Sequence, residues 1–275
     1  MKQPFVFQKI SNHGSSNPIV ARLAIQTFDL IQWLNVSDEE KKAIIDNYLD
    51  LQRRLLNCFD IQQRLLAARD KALSGAVEIW KSGQNTVPHV IGMQDEVENF
   101  LFSAKTYLRE VARLLNNLFR ANLPNEAAIF WDPKGGESKV AQWANDRFGE
   151  DHGTTRMLLS EADWIGEIVR KRNAVEHPNG KSGVLKVVNY ERIAAGIIPP
   201  HWSREGASPI GPTDLYKDIS VTIDNFLKLG EDLLIEAIRN DPAFPQIILA
   251  FVPEKDRDPK APVRIRATVD LRQKR

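Results

Sequence analysis

Arg172-Asn173-Ala174-Val175-Glu176-His177 holds the side chains of this 275-residue chain that are best suited to chemistry. A guanidinium offers a planar, permanently charged fork to an anion such as phosphate. An imidazole, with an intrinsic pKa near neutrality, can take a proton from one oxygen or return it to another. An amide beside them can orient either partner by hydrogen bonding. Other catalytic signatures are absent from the sequence. Gly135-Gly136-Glu137-Ser138-Lys139 has the wrong order for a phosphate loop, and there is no H-E-x-x-H, paired-cysteine or G-x-S-x-G pattern. The remaining histidines, His13, His89, His152 and His201, fall in apparent loops or beside proline. Arg147 and His152 repeat the five-residue interval, but Phe148 follows the arginine, and the acidic Gly149-Glu150-Asp151 between them would repel a phosphate.

The motif must be carried by a helix over about 154–177, which Pro178-Asn179-Gly180 stops. Its inward stripe runs Leu158, Ala162, Ile165 and Ile168/Val169, and the next positions in that register are Arg172 and Asn173. Two polar residues thus continue an apolar face, which is costly unless they are paired or serve a site. Asn173 and His177 share a face if the helix persists. Arg172 and His177, five apart, converge on one ligand only if the helix frays before Pro178 or a second copy supplies the partner group. The structural alternatives are an ion pair from Arg172 to Glu176, a C-terminal hydrogen bond for Asn173, and a helix end favouring a cation at His177.

These residues resemble the HEPN domain family, an all-helical superfamily marked by Arg, four to six residues, then His, commonly with Asn directly after the Arg. The resemblance covers about 90–240. It implies a helical bundle and a metal-independent endoribonuclease without cofactor, in which two copies join their motifs in one cleft. RNA would be cleaved through its own 2′-hydroxyl, with Arg172, Asn173 and His177 as catalytic residues and Lys171 and Lys181 as substrate contacts. Such an enzyme would be a toxin or defence effector, acting as a homodimer with an antitoxin or other protein partner. The competing expectation is a non-catalytic HEPN-like module that binds nucleotide or protein. A two-fold axis joining two His177 side chains in a basic cleft favours the enzyme. A buried His177 with Arg172 locked on Glu176 favours the module.

The overall charge limits how RNA could be held. Lys+Arg is 37 against Asp+Glu 36, a formal net charge of +1, which excludes a polybasic binder relying on bulk attraction. Between 170 and 192, however, stand six basic residues (Arg170, Lys171, Arg172, Lys181, Lys186 and Arg192) and two acidic ones (Glu176 and Glu191), a net +4. A single cysteine, Cys58, excludes an intrachain disulfide and a cysteine-based zinc site. Met1-Lys2-Gln3-Pro4 lacks the apolar core of a secretory signal, and no run approaches the roughly 18 apolar residues of a membrane span. The expectation is a cytoplasmic protein with no membrane partner.

The rest of the chain reads as mainly α, a helical bundle with a small C-terminal β-hairpin. Residues 1–18 form an N-terminal arm, in which Phe5 and Phe7 alternate as in an edge strand. Residues 19–240 form the bundle, and 241–275 the hairpin appendage. Helices are expected over about 19–34, 38–83, 93–120, 137–148 and 213–239, the last capped by Thr213. Ser37 and Glu40 have capping-box spacing, and whether 38–83 breaks near Asn57–Asp60 stays open. Val97, Leu101, Ala104, Leu108, Val111, Leu115 and Leu118 repeat at spacings of four and three, as internal core or as a dimer seam. Cys58 falls on the stripe of Leu51 and Leu55, and Trp131, Trp143, Trp164 and Trp202, residues able to stack on bases, read instead as buried anchors. Val184–Val188 is strand-like, and 196–212 reads as a Pro- and Gly-rich loop. Gln246–Val252 and the alternating Val263, Ile265, Ala267, Val269 and Leu271 make the hairpin.

Overall fold

Asn17 caps the first helical stretch by accepting from the Ile19 N–H at 2.9 Å. In the computed structural model, which describes residues 12–132, 134, 136–206 and 209–269, this stretch is not a regular helix. It runs as α1 (Pro18–Val20), a π-helical turn (Ala21–Ile25), α2 (Gln26–Leu30) and a 3-10 turn (Ile31–Trp33). The expected inward residues Leu23, Thr27, Leu30 and Leu34 are buried. The arm strand expected around Phe5 and Phe7 lies outside the described residues.

The Ser37 capping box is formed in both directions: Glu40 N–H donates to Ser37 Oγ, and Ser37 N–H to the Glu40 carboxylate. It starts α3 (Asp38–Lys81), which passes Asn57–Asp60 without a break. Its apolar register through Leu51, Leu55, Cys58, Ile61 and Leu65 is continuous and buried. Next comes α4 (Met93–Phe119), whose seven stripe residues are all buried within the one chain, none more than 7% exposed. That stripe is internal core: α4 packs against α3 on one side and against the helices of the motif and of the C-terminal region on the other.

The chain continues through α5 (Lys139–Phe148), α6 (Gly153–Glu176) and, after a run of strands, α7 (Leu215–Asn240). Two tyrosine hydroxyls tie α7 into the core. Tyr48 donates to the Gly230 carbonyl at 2.8 Å and Tyr107 to the Phe226 carbonyl at 2.5 Å. Gly230 permits this approach, since a Cβ there would stand about 3.0 Å from Leu23 and from the Tyr107 hydroxyl.

The protein is mainly α, but its strands exceed a single C-terminal pair. Between α6 and α7 lie β1 (Val184–Val188), β2 (Glu191–Ile193), β3 (Gly196–Ile198), β4 (His201–Glu205) and β5 (Ile210–Asp214). They form an antiparallel sheet ordered β1-β4-β5 and a separate β2-β3 ribbon; β1 is the expected strand at Val184–Val188, whereas β3, β4 and β5 lie where the sequence suggested a loop over 196–212. The signal was hidden because the inward positions of β4 are Trp202 and Arg204, a buried arginine standing where an apolar residue would mark a strand. The cap of α7 is Asp214, which accepts from Lys217 N–H at 2.9 Å; Thr213 instead belongs to β5 and donates to Asp218. At the C-terminal end β6 (Ile247–Phe251) pairs antiparallel with β7 (Ile265–Val269). Leu271 lies outside the described residues. Among the described residues no helix is long and apolar enough to cross a membrane.

Candidate functional site

The last turn of α6 is held by its own apolar face. Leu158, Ile165, Ile168 and Val169 are buried against the neighbouring helices, and the same register carries Arg172 inward to 7% exposure. Its guanidinium lies over the Phe102 ring of α4, 5.2 Å from the centroid, and donates to Asn173 Oδ1 at 3.3 Å. It also forms a close ion pair with Glu176, the interaction the sequence offered as the structural alternative. Arg172 Nε is buried with no hydrogen-bond partner. Burial, and secondarily the nearby Arg109, lower the arginine's pKa from its ordinary value.

His177 is the residue at which α6 ends. Its N–H donates to the Asn173 carbonyl at 2.8 Å, but its backbone has left the helix (φ −130°, ψ 70°). Departure from helical geometry swings the imidazole back toward Glu176, with Nε2 3.3 Å from the carboxylate, while leaving 70% of the side chain exposed. Arg172 and His177, five residues apart, therefore meet at one anion. The turn that follows is tight. Gly180 N–H donates to the His177 carbonyl at 2.9 Å, and Gly183 N–H to Gly180 at 3.0 Å. Arg204 Nη1 then fixes the Ser182 carbonyl at 2.9 Å, anchoring the turn from β4.

Together these groups line an open cleft of about 360 Å³, walled by Arg172, Asn173, His177, Lys181, Lys105 and Trp131. Lys105 comes from α4 and stands 3.8 Å from the same Glu176 carboxylate. Burial, then the charges of Arg172 and Arg109, lower its pKa from the lysine value. One carboxylate thus faces three basic groups.

No protein-family model, curated protein or solved structure matches this chain.

Of the five residues singled out in the sequence, four meet at the cleft. Lys171 does not line it. Its ammonium is buried 4.1 Å over the Trp202 ring and 3.5 Å from Asp218. The net +4 of the surrounding segment is also largely spoken for in space. Arg170 pairs with Glu167, Lys186 with Glu205, and Arg192 donates to Asn85. Lys181, exposed at the cleft, forms no ion pair among the described residues. Sequence reasoning missed Lys105 and Arg109, and it took Trp131, which is only partly buried at the cleft, for a buried anchor. The first two were visible only as an i,i+4 pair of cations off the apolar stripe of α4, which most surface helices carry. Trp131 sits in a loop and faces the cleft at its partly buried edge, with Arg170 stacked 5.7 Å from its ring centroid.

Proposed function

We propose that this chain is a HEPN-like, metal-independent endoribonuclease, working as a homodimer in the manner of toxin or defence nucleases. The observation that carries the reading is the convergence of Arg172, Asn173, His177 and Lys181 on one open cleft, with His177 solvent-exposed. In this reading the scissile phosphodiester sits at the guanidinium of Arg172. The 2′-oxygen attacks phosphorus as its proton passes to a neutral His177, and the bond from phosphorus to the 5′-oxygen breaks. A protonated His177, supplied by the second copy, gives its proton to that 5′-oxygen. The products are a 2′,3′-cyclic phosphate and a 5′-hydroxyl. Arg172 and Lys181 meet the negative charge that grows on the phosphate oxygens.

The second reading, a module that binds nucleotide or protein without cleaving, is favoured by one feature: Arg172 is held by Glu176. Labelled single-stranded RNA incubated with the protein in EDTA separates the two. Cleavage by the wild type to 2′,3′-cyclic ends, falling at least 100-fold in Arg172→Ala and in His177→Ala, is the expected result. Bound but intact RNA with concentrated wild type would leave only the module.

A further inference from the structure

Glu176 occupies the place in which a phosphate would be expected. Its carboxylate is paired with the guanidinium of Arg172, lies 3.3 Å from His177 Nε2 and lies 3.8 Å from Lys105 Nζ. A carboxylate and the two non-bridging oxygens of a phosphodiester present the same two-oxygen fork to these donors. Two features indicate that the pocket is built for more anion than Glu176 supplies. Arg172 is more than nine-tenths buried at the cleft wall, and its Nε has no hydrogen-bond partner. The basic groups also outnumber the carboxylate: Lys105 and His177 join Arg172 around it, Lys181 lines the same cleft, and Arg109 follows Lys105 by one helical turn on α4 and forms no ion pair among the described residues.

From this geometry we infer that Glu176 is a built-in gate, a substrate-mimicking carboxylate that closes a phosphodiester site made by Arg172, Lys105, Arg109 and Lys181. The inference rests on the reading of the cleft as a nucleic-acid site, and it adds how that site is kept shut. Glu176 is the last helical residue of α6, and its side chain is 36% exposed. Rotation about its own side-chain bonds carries the carboxylate into water, with no rearrangement of the helix. An incoming phosphodiester exchanges for it at Arg172 and takes on Lys105, while Arg109 on the same face of α4 extends the contact to a neighbouring phosphate. In the closed state Arg172 is neutralised and His177 is turned toward Glu176. Weakly held anions therefore do not compete, and only a polyanion that engages several cations at once displaces the gate.

The test compares full-length wild type with Glu176→Gln, an isosteric change at a partly exposed position. The probe is a fluorescent oligodeoxythymidylate, which has no 2′-hydroxyl and cannot be cut. Glu176→Gln is expected to bind it about tenfold more tightly, as suits the loss of one competing charge pair. Replacing Arg172 by Ala in that background removes the gain. Added inorganic phosphate should raise the melting temperature of Glu176→Gln more than that of wild type, because the orphaned guanidinium gains an anion only in the variant. Binding that is unchanged or weaker in folded Glu176→Gln would overturn the gate. Should that variant not fold, Glu176→Ala carries the same comparison. Cleavage assays on the same proteins keep the two readings apart. Tighter binding without cleavage removes the nuclease and leaves the gate, whereas cleavage with unchanged binding does the reverse.

Discussion

At the scale of single residues, position in the fold separates lysines that look alike in sequence. Lys171 and Lys181 flank the motif, and both read as phosphate contacts, yet Lys171 is buried against Trp202 and Asp218 while Lys181 stands in the cleft. Burial lowers the Lys171 pKa from the usual lysine value, and Asp218 is the main group that opposes this. Lys171→Ala is therefore expected to act on stability. Asp218 keeps its donors from Trp202 Nε1 at 2.7 Å and Thr213 Oγ1, so the loss should be about 1–3 kcal/mol rather than that of a fully orphaned charge. Urea unfolding would register it, and oligonucleotide binding should not change. The i+5 relation of Arg172 and His177 was legible as a pattern. That the two meet depends on His177 having left the helix, and one residue later a proline makes that departure local and cheap.

At the scale of elements, the end of α6 and the turn after it form the device that aims the imidazole. Gly180 lies so close to the His177 backbone that a Cβ would stand 2.9 Å from its carbonyl oxygen. Gly180→Ala must push that carbonyl away, and with it the ring. If the proposed nuclease reading holds, the expected outcome is at least a tenfold fall in RNA cleavage rate, with the melting temperature lowered by only a few degrees. The displaced ring should also show in the imidazole resonances of His177. The helices themselves were legible: the Ser37 box, the α4 stripe and the Pro178 stop all mark observed boundaries to within a few residues. Of the strands between α6 and α7, β1 was legible as the apolar run Val184–Val188, but β2 to β5 were not. They are short, and β4 turns Arg204 inward, where it pairs with Glu167 of α6. A strand whose buried face carries a charge has no alternating pattern to read.

At the scale of the whole molecule, an ionic knot joins the two ends of the described chain. Glu231 on α7 is fully buried, with Arg22 and Arg264 on its carboxylate and Gln26 donating to it at 2.9 Å. Gln26 in turn accepts from the N–H groups of Arg264 and Ile265 at the start of β7, and Arg264 also pairs with Asp232. Glu231→Gln leaves Arg22 without a carboxylate and Arg264 with Asp232 alone, and should cost about 3–5 kcal/mol. Chemical denaturation would measure the loss. Hydrogen exchange should show β6 and β7 opening before the helices do, because Arg264 then keeps only the partly exposed Asp232 as its carboxylate on α7. No local pattern announces such a knot, in which Arg22 and Gln26 stand more than 200 residues from Glu231 in sequence. What the sequence alone determined is whatever periodicity and capping encode: the helices, their buried faces and the residue types gathered at one helix end. Whether the α4 stripe was core or seam, where Lys171 points, and which carboxylate occupies the cleft were decided only by tertiary packing. The reason is physical: burial and ion pairing depend on distance in space, and residues far apart along the chain set those distances.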